Sequence, residues 1–308
     1  MQDTVHETQD GDRLRYKLVR GEDPVATVVF LNGSFFNYHQ WDLLFSRLHR
    51  KIEDKGIRLD YIFMDYRGFG DVPPLVHPFT FDAIQTDVLG LIDEKQVHGD
   101  VRLVGSSLGS LVGLSLLNRC PERFSSMVVY GFVAPTLPVI RHVREVFDCM
   151  AGQLASFLSR YGMARLDQSS IAPFARAMWD TFVVQYSRTA ASVKARGFTD
   201  AYASYILKYM NGTPVSTIRS FLDFFTSNDI EAIMSKNRFS LDIFQKVVVF
   251  HGMDDLVTPF ADVKSYCDHA GVRGFQALPN KGHTDFILDG GICDALAGAL
   301  LSDKKEPT

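Results

Sequence analysis

The chain has 308 residues, 46% hydrophobic and 22% charged, enough to bury one large core or a core that carries an insertion. A formal charge of −4 and the lack of any Lys/Arg run that would lie along phosphates exclude nucleic acid from the expected partners. The cysteines, Cys120, Cys149, Cys267 and Cys293, are scattered without paired spacing, so neither a metal site nor a disulfide framework is expected.

The opening stretch, MQDTVHETQDGDRLR, lacks the apolar core of a secretory signal, and no later apolar run is long enough to span a bilayer; a cytoplasmic location is expected. Polar and apolar residues alternate from Thr4 to Val19 about Gln-Asp-Gly-Asp, the pattern of a hairpin. A buried strand follows from Val25 to Leu31 and stops at Asn32-Gly33-Ser34. Leu43, Leu44, Leu48 and Ile52 then mark an amphipathic helix from Trp41 to Ile52. Leu59 to Met64 repeats the strand pattern and runs into Asp65-Tyr66-Arg67-Gly68-Phe69-Gly70, where Asp65 and Arg67 read as a structural ion pair or turn former. A helix from Phe79 to Val97 has Thr80 as its cap.

The rest of the chain is organised around Val101 to Gly109, VRLVGSSLG, an apolar strand that ends abruptly in Gly-Ser-Ser-Leu-Gly and passes straight into a helix at Ser107. A serine hydroxyl is a poor nucleophile unless it is held exposed at such a helix start beside a base, and Gly105 and Gly109 remove the side chains that would clash in so tight a turn. The bland alternative is that Ser107 only caps the helix. Ser126 to Val133 makes a further strand. Strands alternating with helices imply an α/β fold: a mostly parallel, twisted sheet with helices on both faces and its active site at the strand C-terminal ends.

From Pro135 to about Leu241 the alternation stops. Val143, Phe147, Met150, Leu154, Phe157 and Leu158 mark one amphipathic helix, and others fall near Ala172 to Tyr186, Thr199 to Met210 and Pro214 to Ser235, the last with Thr213 as cap and Pro214 at the first position. The expected organisation is a core made of residues 1–134 and 242–308 with an all-helical cap, 135–241, inserted in it. Strand character returns at Gln245 to His251 and ends at Gly252-Met-Asp254-Asp255-Leu-Val-Thr-Pro259. A helix (Phe260 to Ala270), a short strand (Gly274 to Leu278), the loop Asn280-Lys-Gly-His283 and a final helix using Ile292, Leu296 and Leu300 complete the chain.

Strand ends therefore offer, in order, Ser107, one of Asp254 and Asp255, and His283. A serine nucleophile needs a base, which near neutral pH is His, and the base needs a carboxylate to orient it. His283 stands apart from the other histidines because Gly-His follows a strand in the last loop; His251 reads as a strand-end residue.

These stretches resemble the α/β-hydrolase superfamily along nearly the whole chain. GSSLG is similar to its GxSxG elbow, GMDDLVTP to its acid loop, KGH to its histidine loop and DYRGFG to a signature between its second and third βα units. The resemblance implies Ser107 as nucleophile, His283 as base and Asp255 as acid, since the family acid stands four residues before the loop proline, here Pro259. It also implies an oxyanion hole made by the backbone N–H groups of Ser34 and Leu108. The chain departs from the family pattern at Asn32, where the family usually has His, and at Ser106, where it often has His.

The expected function is a serine hydrolase working through an acyl-enzyme on a small-molecule ester or thioester with a predominantly apolar acyl group, without a cofactor. Phe35, Tyr38 and His39 beyond the oxyanion loop and Trp179 in the cap are candidate substrate contacts. The cap's aromatics, Phe147, Trp179, Phe221, Phe224 and Phe225 among them, exceed what single inward stripes need, so the surplus is expected to line an acyl pocket; the rival is that they only pack cap on core. Two other functions fit the same pattern: an acyltransferase that passes the acyl group to an alcohol, amine or hydroxyacyl acceptor, and a non-catalytic receptor or scaffold, against which the intact Ser107, Asp255 and His283 argue.

Overall fold

The apolar runs pair into a single sheet. The computed structural model describes residues 4–97, 99–161, 212–227, 239–283, 285 and 292–301. Its strands are β1 (Thr4–Glu7), β2 (Arg13–Val19), β3 (Thr27–Leu31), β4 (Asp60–Met64), β5 (Val101–Ser106), β6 (Ser126–Tyr130), β7 (Val247–Gly252) and β8 (Gly274–Leu278), in the spatial order β1-β2-β4-β3-β5-β6-β7-β8. The β1–β2 and β2–β4 pairings are antiparallel and the others parallel. Every residue of β3, β4, β5 and β6 is buried, as strands covered on both faces require.

The helices are α1 (Asp42–Glu53), α2 (Phe81–Glu94), α3 (Leu108–Arg119), α4 (Leu137–Tyr161), α5 (Val215–Thr226), α6 (Leu241–Phe244), α7 (Phe260–Ala270) and α8 (Cys293–Leu301), with a 3₁₀ turn, Tyr38–Trp41, before α1. Because strand side chains alternate between faces, Val28 and Phe30 of β3 join the cluster under α1 and α8, whereas Val29 and Leu31 join a second cluster with α2, α3, α4, α5 and α7. Both α7 and β8 occupy the bounds expected from the sequence. Helix α2 is shorter than Phe79 to Val97: Thr80 does accept the Ala83 N–H at 3.2 Å, but Gln96 turns left-handed at φ 51° and ends the helix. No helix among the described residues is long and apolar enough to cross a membrane.

Two local expectations are corrected. Asp65 and Arg67 do not pair with each other, because each has a better-placed partner on another element. Arg15 donates twice to Asp65 Oδ2, at 2.8 and 3.0 Å. Arg67, 2% exposed, donates to Asp87 at 2.6 and 2.7 Å, to Asp10 at 2.7 Å and to Asp12 at 2.9 Å, which ties the opening hairpin to α2. Without Asp87 the Arg67 Nε and Nη2 donors lose their acceptors while Nη1 keeps Asp10 and Asp12. Asp87→Ala is therefore expected to destabilise the fold by about 3 kcal/mol, read as a lower denaturation midpoint at unchanged slope.

The second correction is at α5, which begins at Val215 with no side-chain cap. The Thr213 hydroxyl instead accepts the Gly70 N–H at 2.9 Å, and Ser220 Oγ, one turn into α5, accepts the Phe79 N–H at 2.9 Å. The segment that enters α5 is thus fastened to the chain between β4 and α2. The helices expected over Ala172 to Tyr186 and Thr199 to Met210 lie outside the described residues.

Candidate active site

The elbow between β5 and α3 holds Ser107 at φ 50° and ψ −113°, a conformation a non-glycine residue keeps only when its surroundings over-determine it. Its N–H donates to Tyr130 O at 3.0 Å, and Ser110 Oγ donates to Ser107 O at 2.5 Å while accepting the Val133 N–H at 3.0 Å. A Cβ on Gly105 would stand 2.5 Å from Gly109 O, and one on Gly109 would fall on the Leu31 carbonyl, so neither position admits a side chain. Ser107 makes no side-chain cap bond to α3. Its Oγ lies 2.9 Å from His283 Nε2.

His283 Nδ1 lies 2.7 Å from Asp255 Oδ2. A carboxylate oxygen only accepts, so Nδ1 carries the proton and Nε2 turns its lone pair to the Ser107 hydroxyl. Gly131, at φ 58°, makes room for the ring, since a Cβ there would stand 3.2 Å from it. Asp255 is buried, and its Oδ1 accepts the Val257 and Thr258 N–H groups, both at 2.9 Å, while Oδ2 also accepts Thr258 Oγ–H at 2.9 Å. Burial pushes the carboxyl pKa up, but His283 and then His251 and the Thr258 N–H outweigh it and hold it below the usual carboxylate value. The neighbouring Asp254 is only partly buried, and its backbone N–H donates to Lys281 O at 2.9 Å.

His251, the strand-end residue of the sequence reading, is fully buried. Its Nδ1 accepts the Phe132 N–H at 3.1 Å, so Nε2 carries the hydrogen and donates to Thr258 O at 2.9 Å, 3.5 Å from Asp255 Oδ2. Burial lowers its pKa and outweighs the attraction of Asp255, which keeps the ring neutral. It links the ends of β6 and β7 to the acid loop; the His-Gly pair opening that loop was the signal for it.

The resemblance-derived donors stand on two elements. Leu108 is the first residue of α3. Ser34 lies in a turn closed by the Phe36 N–H on Gly33 O at 3.4 Å; left-handed φ falls at Phe35 (67°) and not at Ser34, the signature of a type II turn. That hydrogen bond leaves the Ser34 N–H outside the turn's own pairing. Asn32, where the family has His, anchors the turn: its Nδ2 donates to Met64 O at 2.8 Å, its Oδ1 accepts Trp41 Nε1–H at 2.8 Å, and its carbonyl accepts the Tyr66 hydroxyl at 2.7 Å.

Of the candidate substrate contacts, Phe35 is 6% exposed and packs on Phe147 and Phe221. Tyr38 is buried, its N–H donating to Asp65 Oδ1 at 2.6 Å and its ring facing the Arg15 guanidinium. Burial, against the pull of Arg15, pushes Asp65 up to about 6. His39 is partly exposed and its Nδ1 lies 2.8 Å from Asp42 Oδ2. Trp179 lies outside the described residues. No cluster of three or more His, Cys, Asp or Glu suited to a metal occurs among the described residues.

A mostly parallel sheet whose strand ends gather a strained serine, a histidine and a buried carboxylate defines a class of protein. Residues 28–291 match the model of the alpha/beta hydrolase family, and the chain belongs to that family. It is similar to the 3-oxoadipate enol-lactonase 2 of Acinetobacter baylyi, 29% identical over 114 residues that cover 37% of this chain and 40% of that enzyme. Among solved structures it resembles an alpha/beta hydrolase enzyme from a Medee basin deep-sea metagenome library (TM-score 0.74, 15% identity, 99% of both chains covered). It also resembles the enol-lactonase from Burkholderia xenovorans (0.66, 17%, 97% of this chain and 98% of that one). A third is an esterase from Exiguobacterium antarcticum (0.63, 16%, 98% of both).

Proposed function

We propose that the protein is a serine hydrolase that cleaves an ester or thioester of a predominantly apolar acyl group through an acyl-enzyme. The observation that carries this reading is the file of Ser107 Oγ, His283 Nε2 and Nδ1, and Asp255 Oδ2, with contacts of 2.9 and 2.7 Å. In the proposed reaction Ser107 Oγ bonds to the substrate carbonyl carbon as His283 Nε2 takes its proton. The oxyanion is received by the N–H groups of Leu108 and Ser34, and Asp255 steadies the imidazolium. The intermediate collapses as His283 returns the proton to the leaving alcohol or thiol. Water, deprotonated by His283, then attacks the acyl carbon and frees Ser107. The names of the relatives, esterase and enol-lactonase, favour oxygen esters, open or cyclic.

The segment 135–241 leaves the sheet after β6, at the strand end beside Ser107, which supports its role as a cap. Phe147, Phe221, Phe224 and Phe225 are all buried and form a continuous set of ring contacts, an apolar surround suited to such an acyl group. Burying a chain contributes about 0.8 kcal/mol per CH₂. Thus kcat/KM over straight-chain p-nitrophenyl esters should rise roughly fourfold per methylene until the pocket fills. A profile flat or falling beyond acetate removes the apolar pocket from the reading. The reaction itself is tested by mass spectrometry of products from ester, lactone and thioester panels, with and without added alcohols. Free acid throughout supports hydrolysis, dominant transfer to the alcohol makes the enzyme an acyltransferase, and the absence of any Ser107-dependent product leaves a binding protein.

A further inference from the structure

The aromatic side chains of the inserted helices converge on the turn that carries Ser34. Phe35 occupies the left-handed position of that turn, φ 67°, which glycine adopts without cost and a phenylalanine does not. Its ring is 6% exposed and sits 4.9 Å, edge to face, from Phe221 of α5 and 5.8 Å from Phe147 of α4. Phe221, fully buried, also meets Phe147 (5.8 Å), Phe69 of the loop after β4 (5.4 Å) and Phe79 ahead of α2 (4.8 Å). A backbone conformation that is unfavourable for the residue, held by a ring wedged between two helices of the insertion, is a turn whose shape depends on those helices.

We propose that Phe35 is a positioning residue whose ring, clamped by Phe147 and Phe221, fixes the Ser34 N–H for the oxyanion, so that the inserted helices preorganise the oxyanion hole. The inference rests on the acyl-enzyme reading above. It separates two explanations of why a large side chain occupies a glycine-like site. If the turn only needs its backbone shape, glycine serves as well or better; if the ring anchors the turn, glycine leaves it free to move. A donor held in place before reaction stabilises charge without reorganisation, and losing one outright costs about 10²–10³ in kcat; a loosened donor costs less.

The test compares wild type, Phe35→Gly, Phe35→Leu and Phe221→Leu with p-nitrophenyl acetate, the straight-chain ester used here with the smallest acyl group, alongside inhibition by phenylboronic acid. In that adduct boron bonds to Ser107 Oγ, the serine proton passes to His283, and a boron hydroxyl takes the oxyanion position. Thermal midpoints confirm that each variant is folded at the assay temperature. The expected result is a fall in kcat of ~10–100-fold in Phe35→Gly, a smaller fall in Phe221→Leu, partial recovery in Phe35→Leu, KM within about threefold, and boronate affinity falling in step with kcat. Wild-type kcat in Phe35→Gly, a fall confined to the Phe35 variants, or a change in KM alone overturns the proposal. Loss of the parent reading looks different: wild-type turnover that survives Ser107→Ala removes it, and this inference with it.

Discussion

Ser107→Ala is expected to abolish ester turnover and labelling by a fluorophosphonate while leaving the thermal midpoint within a few degrees of wild type. The hydroxyl contributes its 2.9 Å contact to His283 and no cap bond to α3, so its removal opens no cavity and unties no helix. The strained backbone is held by other groups, the Ser107 N–H on Tyr130 O and Ser110 Oγ on the Ser107 carbonyl, and both survive the substitution. The substitution thereby separates activity from fold. Wild-type-like labelling in the variant would place the nucleophile elsewhere and sink the proposed mechanism.

Asp255→Asn is expected to lower kcat by about 10⁴, the usual effect of neutralising a triad acid, and Asp254→Asn by less than about threefold. Asp255 Oδ2 is the acceptor that keeps the proton on His283 Nδ1, while Oδ1 is already taken by the Val257 and Thr258 N–H groups. An asparagine that satisfies those two N–H donors with its carbonyl turns its amide toward Nδ1, and two donors cannot share a contact of 2.7 Å. His283 then adopts the tautomer that presents a hydrogen to Ser107 and can no longer take one. The carboxylate of Asp254 plays no part in that file. Steady-state kinetics of the two variants decide the matter, and reversed effects would move the acid by one residue.

Much of this architecture is written in local pattern. Apolar runs bounded by Asn-Gly, Gly-Met-Asp and Gly-Ser place the strands, and the Gly-Ser-Ser-Leu-Gly turn needs only short-range sterics to be read. The order in which motifs follow strands singles out Ser107, His283 and the pair Asp254 and Asp255, between which only the family resemblance chose Asp255, and the fold brings Asp255 to His283 and His283 to Ser107. What stayed hidden depends on partners far apart in sequence. Arg67 finds Asp10, Asp12 and Asp87 rather than nearby Asp65, because burial selects for full pairing and no periodicity encodes which acid supplies it. The Thr213 hydroxyl, legible as a helix cap, was claimed instead by an N–H of Gly70, and the place of His251 between Phe132 and the acid loop required the neighbouring strand end. Phe35 carried no sequence signal for its left-handed backbone at all.

The anchoring of α5 bears on the length of the connection before it. Where the chain comes back from its excursion it is pinned twice, by Thr213 to Gly70 and by Ser220 to Phe79, and where it sets out it runs along α4 against the same apolar cluster. Those moorings hold α4 and α5 to the core whatever length of chain joins them. Closing a connection costs only about 0.6 kcal/mol more for each doubling of its length, so loop entropy sets little limit on that length. A change in the length of that connection therefore leaves the elbow and the acid loop as they are.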